Sequence, residues 1–245
     1  MSGAGEGRPP STVPSVRTAL LLVVAVVVAA VGLVVVASRT SGPAPSGAPQ
    51  VTCRAPPPPP TSATRIEAAP DPSSAGGARW RATLTTTCGV ITLELDGRSA
   101  PATVASFVAL ARAGYWTDSV CHRLTTRQAP TGFLQCGDPT GRGLGDPGYD
   151  LPLENLPPDD RYVRGIVAMA RGEGVTGTAG EFFLVHRDFT VAGGRPGYTV
   201  FGRVVGGQEV VDHIAAGGGE DTRPDGPPFR SISILTVTVG RVGTV

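Results

Sequence analysis

The stretch RATLTTTCGVITLEL, residues 81–95, decides the fold of the chain. It contains two runs rich in Thr, Val, Ile and Leu, residue types that favour strands, and the two runs meet at Cys88-Gly89. Within each run apolar residues alternate with Thr or charged residues, which is typical of a strand with one buried face. The stretch therefore predicts an antiparallel β-hairpin.

The residues that follow predict two helices among many short strands. A helix over residues 99–114 begins at Ser99-Ala100-Pro101 and has apolar residues at helical spacing, namely Val104, Phe107, Val108 and Ala111. A second helix is predicted over 208–215. Strands are predicted over 119–124, 165–170, 181–185, 198–205 and 231–239. Short strands with only two interspersed helices favour an antiparallel sheet closed into a barrel over repeated βαβ units.

The N-terminal third differs in composition from this body, which we place at 80–245. Residues 18–37 are twenty residues without a charge, long enough at about 1.5 Å per residue to span a bilayer as a transmembrane helix. A cleaved signal peptide is the alternative, although its apolar region is normally shorter. Arg residues before the run favour a cytoplasmic tail over 1–17. The composition of the stretch 38–79, rich in Pro, Ala and Ser, predicts a disordered linker.

Charge and composition exclude several classes of protein. The chain has 21 basic and 20 acidic residues, so no basic surface for nucleic acid is expected. All the basic residues are Arg, which excludes mechanisms that depend on a Lys, such as Schiff-base formation or a Walker A site. The three His residues lie far apart and the four Cys residues form no CxxC pair, so no metal site is predicted. Cys121 and Cys136 flank a strand–turn–strand unit and are the favoured disulfide pair, while Cys88 is left over.

Five short blocks occur in order along the body: Cys121-His122-Arg123-Leu124, residues 132–141 (GFLQCGDPTG), Ala168-Met169-Ala170, residues 181–184 (EFFL) and Val200-Phe201-Gly202. In order and spacing they resemble the cyclophilin family of peptidyl-prolyl cis/trans isomerases, and most closely a membrane-anchored or exported actinobacterial branch. The resemblance covers nearly all of 80–240. It implies a mainly β fold, an eight-stranded antiparallel barrel capped by two helices, in agreement with the strand pattern.

The resemblance also implies roles for individual residues. Arg123 matches the catalytic Arg, Gln135 the amide that binds the substrate backbone, and Phe183, Met169 and Phe201 an apolar pocket for the proline ring. His122, Ala170, Glu181 and Tyr198 match other substrate-contacting positions. The block at 132–141 is one residue short, so either Phe133 or Leu134 fills a further pocket position.

The chain departs from the family pattern at several of these positions. Glu181 stands where Gln is common, Arg171 where Asn is common, and Tyr198 where His is common. In the family, a Trp in the loop before the Val-Phe-Gly block contributes to cyclosporin binding. The corresponding stretch 190–197 contains no Trp, so the resemblance implies weak inhibition by cyclosporin. Because of these departures, a second hypothesis for the function stays open, namely that the domain binds Pro-containing segments without catalysing their isomerisation.

Prolyl isomerisation needs no cofactor or metal. Rotation about an X-Pro bond opposes a barrier of about 18–20 kcal/mol because amide resonance is lost. The twisted prolyl nitrogen gains a lone pair, which the permanently charged Arg123 can stabilise. The expected partners are therefore X-Pro-containing proteins, for a monomer held at the cell membrane by 18–37 with its isomerase domain outside the cytoplasm. Secretion after signal cleavage is the alternative.

Overall fold

A computed structural model describes residues 50–66, 68–143, 145–172, 177–191 and 197–243. The tail predicted over 1–17, the transmembrane helix predicted over 18–37 and the first part of the predicted linker lie outside these residues. Within the described part of the chain, no helix combines the length and apolar composition that crossing a membrane requires.

The predicted hairpin is present. Strands β1 (Arg79–Thr86) and β2 (Gly89–Asp96) pair antiparallel, with Thr83 opposite Thr92. On β1 every second residue is buried, so Trp80, Ala82 and Leu84 face the core and the alternate Arg and Thr residues face outward, while Thr86 at the end of the strand is buried. Gly89 takes a φ of 133°, a backbone conformation that favours glycine, at the turn between the strands.

Twelve further short strands follow in the described residues. They are β3 (Ser119–Val120), β4 (Arg123–Thr125), β5 (Phe133–Cys136), β6 (Asp150–Leu151), β7 (Arg161–Tyr162), β8 (Ile166–Met169), β9 (Gly177–Thr178), β10 (Phe182–Val185), β11 (Phe189–Thr190), β12 (Val200–Gly206), β13 (Asp225–Gly226) and β14 (Ser233–Arg241). Ten strands form one sheet in the order β13-β4-β5-β10-β8-β12-β2-β1-β14-β3, and β6–β9 and β7–β11 form two small ribbons.

The main sheet curls because a single chain segment supplies strands near both of its ends. In residues 119–125, β3 pairs with β14 at one end of the strand order, and β4 pairs with β5 next to the other end. The predicted count of eight strands is corrected to ten, since this segment is divided into β3 and β4 and the short β13 is added at the edge. In the part of the chain that the structure describes, the architecture is a curled, mainly β antiparallel sheet with two α-helices.

Both predicted helices are present. Helix α1 (Pro101–Arg112) packs against the core side of the sheet, where Phe107 is buried against the rings of Phe182 and Phe201. The carboxylate of Glu154 accepts hydrogen bonds from the backbone N–H groups of Ala102 and Thr103, which caps the start of the helix. Helix α2 (Gln208–Gly217) covers the sheet with Val210, Val211 and Ile214 buried.

The compact unit extends beyond residue 80 toward the N-terminus. Residues 51–245 form one compact unit, and Cys53 forms a disulfide with Cys88 in the hairpin turn. The backbone N–H of Ile66 donates to the carbonyl of Pro147, and Val51 and Ile66 pack against the core. The compact unit therefore includes residues from 51 onward that the sequence analysis assigns to the linker. The Pro-rich composition resembles a linker, but the disulfide and the apolar contacts hold this part of it on the domain.

The second disulfide joins Cys121 and Cys136, the pair favoured from the sequence. Cys121 lies directly before His122-Arg123, and Cys136 directly follows Gln135. Among the described residues no cysteine is free, because the residue left over in the sequence analysis, Cys88, pairs with Cys53.

Candidate functional site

A row of side chains crosses four neighbouring strands on the outer face of the sheet. Arg123 on β4 is opposite Gln135 on β5, Gln135 is opposite Phe183 on β10, and Phe183 is opposite Ala168 on β8. Directly opposed residues on paired strands present their side chains on the same face. The register therefore lines up a guanidinium, an amide, an aromatic ring and a methyl group.

An apolar cluster lies beside this row. Phe133, two residues before Gln135 and so on the same face, has its ring centroid 4.8 Å from that of Phe183. Tyr198 meets Phe183 edge-on at 5.1 Å. Behind these rings the cluster includes Tyr162, Ala168, Ala170, Val185 and Phe189, and it is separate from the main core.

Three groups hold the Arg123 guanidinium in place. Its Nε and Nη2 donate to the two carboxylate oxygens of Asp225, both at 2.7 Å, and its Nη1 donates to Oε1 of Gln135 at 3.2 Å. The guanidinium carbon lies 5.2 Å from the centroid of the Phe133 ring, within cation–π range. The hydrogen bond to Asp225 raises the pKa of Arg123, so the group stays charged.

The amide of Gln135 connects Arg123 to a buried carboxyl group. Its Nε2 donates to Oε2 of Glu181 at 2.6 Å, and Nε2 of His122 lies 3.7 Å from the same oxygen. Burial raises the pKa of Glu181 to about 7, and burial lowers the pKa of His122. The site therefore contains a carboxyl group that changes its charge near neutral pH.

Close backbone packing brings Glu181 to Gln135. A side chain at Gly137, just beyond β5, would place its Cβ 2.3 Å from the carbonyl oxygen of Gly180, so only glycine fits there. The indole N–H of Trp116 donates to the carbonyls of both Gly137 and Gly180, at 3.1 and 2.9 Å. These contacts fix the distance between the end of β5 and the start of β10.

The structure separates the expected proline-pocket residues onto two faces of the sheet. Met169, opposite Phe182, belongs to the main core, as do Leu134 and Phe201. Phe201 has its ring 5.5 Å from that of Phe107 on α1. The expectation that Met169 and Phe201 line a pocket with Phe183 is therefore corrected. Because side chains alternate between faces along a strand, neighbours in one motif point in opposite directions.

The same alternation resolves the choice between Phe133 and Leu134. Phe133 lies in the outer cluster beside Arg123, whereas Leu134 is fully buried in the main core. Of the other predicted site residues, the structure brings together Arg123, Gln135, His122 and Glu181 by direct contacts. Phe183, Ala170 and Tyr198 lie in or against the outer cluster, where the Arg171 guanidinium stands 5.7 Å from the Tyr198 ring.

Asp225 was not predicted from the sequence. It reaches Arg123 through β13, which pairs with β4 across about a hundred positions of chain. A two-residue strand in a Pro- and Gly-rich loop carries no periodicity, so no signal in the sequence points to it. The prediction of weak cyclosporin inhibition depends on the stretch 190–197. Residues 192–196 of that stretch lie outside the described residues.

No cluster of potential metal ligands is found among the described residues. The arrangement is instead suited to binding a peptide. It combines the Arg123 cation, an amide with a donor and an acceptor, and a closely packed cluster of aromatic rings beside them, groups that together can stabilise a lone pair and contact an apolar ring.

Comparison with known proteins agrees with this geometry. The model of the family described as cyclophilin type peptidyl-prolyl cis-trans isomerase/CLD matches residues 81–239. Two proteins named probable peptidyl-prolyl cis-trans isomerase B are similar. The one from Mycobacterium leprae is 39% identical over 165 residues, and the one from Mycobacterium tuberculosis is 40% identical over 157 residues. These alignments cover 62% and 58% of this chain, and 54% and 49% of the relatives, so the chain spans about half their length.

A crystal structure of a Cryptosporidium parvum cyclophilin type peptidyl-prolyl cis-trans isomerase has the same fold. It is 23% identical, with a TM-score of 0.55, over 66% of this chain and 98% of that one. The matched residues 81–239 include the strands that hold the row of side chains from Arg123 to Ala168. Since the family model also covers more than half of the 245 residues, the chain belongs to the cyclophilin-type peptidyl-prolyl cis-trans isomerase family.

Proposed function

We propose that the protein is a peptidyl-prolyl cis/trans isomerase that acts on X-Pro bonds in proteins. The observation that carries this proposal is the Arg123 guanidinium, held by Asp225 and Gln135 at the edge of the apolar cluster of Phe133 and Phe183. The relatives named above support it, and the Cryptosporidium parvum protein has also been crystallised in the presence of the dipeptide Ala-Pro.

In the proposed reaction the proline ring rests on Phe133 and Phe183, with Tyr198 and Ala170 beside it. Gln135 binds the backbone next to the ring. As the C–N bond twists, the prolyl nitrogen becomes pyramidal, and an N–H of Arg123 hydrogen-bonds to its lone pair. No covalent bond is broken.

Catalysis then consists of binding the twisted amide more tightly than either planar form. A millionfold acceleration requires about 8 kcal/mol of such differential binding. The charged hydrogen bond from Arg123 acts only on the twisted form, because the planar amide nitrogen has no available lone pair. We therefore assign the largest share to Arg123, with Gln135 and the apolar cluster supplying orientation.

We also propose that the domain works outside the cytoplasm, anchored by residues 18–37, as a member of an exported actinobacterial branch. Two disulfides in the described residues support this location, because disulfides persist in oxidising compartments. The similarity to the mycobacterial proteins supports the branch. In intact cells, added protease should cut the domain from outside, and the full-length chain should be in the membrane fraction. A soluble mature form that begins near Ser38 would contradict the anchor.

A protease-coupled assay with an Ala-Pro peptide tests the activity. Arg123→Ala should lower kcat/KM at least about tenfold, the loss of a charged hydrogen bond worth roughly 1.5–3 kcal/mol. Arg81→Ala is the matched control, since it removes an exposed Arg on β1, a strand that carries no residue of the site. An Arg123→Ala variant as active as the control would contradict the assigned role.

A non-catalytic binding module is the second candidate. Two carboxyl groups at the site favour it. Asp225 accepts hydrogen bonds from Arg123, and Glu181 accepts one from Gln135, so these two donor side chains already donate to the protein rather than to a peptide. Binding of Pro-containing peptides without accelerated isomerisation would select this function.

A further inference from the structure

Glu181 lies at the inner end of a chain of hydrogen bonds that reaches the proposed catalytic group. Its side chain is only 6% exposed, and its Oε2 accepts the hydrogen bond from Nε2 of Gln135. The other end of that amide, Oε1, accepts the hydrogen bond from Nη1 of Arg123. The order of contacts is therefore carboxyl, amide, guanidinium.

An amide has two different ends, and its neighbours decide which way it points. The guanidinium can only donate hydrogen bonds, and an ionised carboxylate can only accept them. With Glu181 ionised, one orientation of Gln135 satisfies both neighbours, namely NH2 toward Glu181 and oxygen toward Arg123. A protonated Glu181 accepts a weaker hydrogen bond from the NH2 group and can instead donate to the amide oxygen, so that only the guanidinium of Arg123 still favours the productive orientation.

We propose that Glu181 is a positioning residue whose ionised carboxylate sets the orientation of the Gln135 amide, and through it the orientation of Arg123, so that the isomerase loses activity on acidification. This inference rests on the proposed function. It concerns a position at which this chain departs from the Gln common in the family.

Several titratable or charged groups surround Glu181. His122 faces it at 3.7 Å, the charge of Asp138 raises its pKa, and the backbone N–H of Gly145 and the Arg123 guanidinium stabilise its ionised form. Burial and the nearby carboxylates raise the pKa of Tyr115, so this phenol carries no charge near neutral pH. Burial is the largest effect, and with Asp138 it outweighs the others, so the pKa of Glu181 is raised to about 7. Burial lowers the pKa of His122 below its ordinary value.

The first test compares pH profiles of kcat/KM. Between pH 8 and pH 5.5 the wild-type value should fall about fivefold, because a hydrogen bond to an ionised acceptor is about twice as strong as one to a neutral acceptor and its loss depopulates the productive orientation. Glu181→Gln keeps a hydrogen-bonding side chain but cannot titrate, so its profile should be flat. His122→Gln should keep the pH step. A step that disappears in His122→Gln, or persists in Glu181→Gln, would overturn the proposal.

The second test observes the amide itself and does not depend on turnover. The side-chain NH2 signals of Gln135, identified in a ¹H–¹⁵N NMR spectrum by their loss in Gln135→Ala, should shift with a midpoint near pH 7 in the wild type. In Glu181→Gln they should not shift. Signals unchanged with pH in the wild type would contradict the inference. A wild type without isomerase activity at pH 8, whose Gln135 signals nevertheless titrate, would instead contradict the proposed function.

Discussion

At the scale of single residues, the environment of Arg123 balances positioning against charge. The carboxylate of Asp225 accepts two hydrogen bonds of 2.7 Å from the guanidinium, but its negative charge also partly cancels the positive charge that the reaction needs. Both side chains are more than 40% exposed, so solvent screens the attraction, and the pair is worth only about 1 kcal/mol or less. We therefore expect the positioning effect to exceed the cost in charge.

The first prediction follows from that balance. Asp225→Ala should lower kcat/KM by up to about fivefold, mainly in kcat, because Arg123 then samples more orientations. Asp221→Ala is the matched control, since Asp221 lies in the same loop and pairs with Arg223 instead. An Asp225→Ala variant more active than the wild type would mean that Asp225 restrains Arg123 by neutralising it.

Glu181 also gives a prediction for stability. Its pKa is raised in the folded state from about 4.5 to about 7, so the folded state binds the proton more tightly than the unfolded state. The stability that this proton confers is fully present below about pH 4.5 and is lost as the pH rises through about 7. Glu181→Gln should therefore be more stable than the wild type at pH 8, by roughly 2–3 kcal/mol, and should lose this advantage near pH 4.5. Urea denaturation at the two pH values measures the difference. An equal difference at both would contradict the assignment.

At the scale of the elements, strand β5 carries adjacent residues with different tasks. Phe133 faces the outer cluster beside Arg123, and Leu134 faces the main core. The sequence alone does not show which of the two residues belongs to the site, because the block 132–141 is one residue shorter than in the family. The pairing of β5 with β10 shows which face of the sheet each side chain lies on.

These neighbours form a matched pair of variants. Phe133→Ala should lower kcat/KM about tenfold, since the proline ring loses an apolar partner worth about 1.5 kcal/mol or more. Leu134→Ala should leave kcat/KM of the folded protein near the wild-type value but lower the free energy of unfolding by about 2–5 kcal/mol. Activity is measured at temperatures well below the Tm of each variant, so that a loss of kcat/KM is not confused with a loss of folded protein. The opposite result, with activity lost only in Leu134→Ala, would show that the faces are misassigned.

The elements also show what could be predicted from the sequence. The hairpin, both helices and the blocks around Arg123 and Gln135 were predicted because they depend on local periodicity and short motifs. The contact of Asp225 with Arg123 was missed because long-range strand pairing leaves no local pattern. Met169 and Phe201 were assigned to the pocket from their motifs, but the alternation of β8 and β12 turns them into the core.

At the scale of the whole molecule, part of the predicted linker, from residue 51 onward, packs on the domain, because Pro-rich composition indicates extended chain but does not reveal what the chain contacts. Cys53 joins this segment to the hairpin turn at Cys88, 35 residues later in the chain. A cross-link over that separation stabilises a fold by about 3–4 kcal/mol, mainly by restricting the unfolded chain.

Removal of this cross-link should therefore be measurable. The double variant Cys53→Ser/Cys88→Ser should lose about 2–4 kcal/mol of unfolding free energy while retaining the kcat/KM of the folded protein, because neither residue contacts the site. Urea denaturation of the oxidised wild type and of the double variant, both without a thiol reductant so that Cys121–Cys136 stays intact, gives the comparison. A double variant as stable as the oxidised wild type would contradict the structural role of the disulfide.

The central claim is that Arg123, on this outer face, accelerates rotation about an X-Pro bond. NMR exchange spectroscopy of an Ala-Pro peptide measures that rotation directly, without a coupling protease. With catalytic amounts of the wild-type protein, cis and trans signals should exchange far faster than the uncatalysed tens to hundreds of seconds. Arg123→Ala should reduce the acceleration at least about tenfold, and Arg81→Ala should not. Exchange at the uncatalysed rate with the wild-type protein, or equal acceleration by Arg123→Ala, would contradict the account.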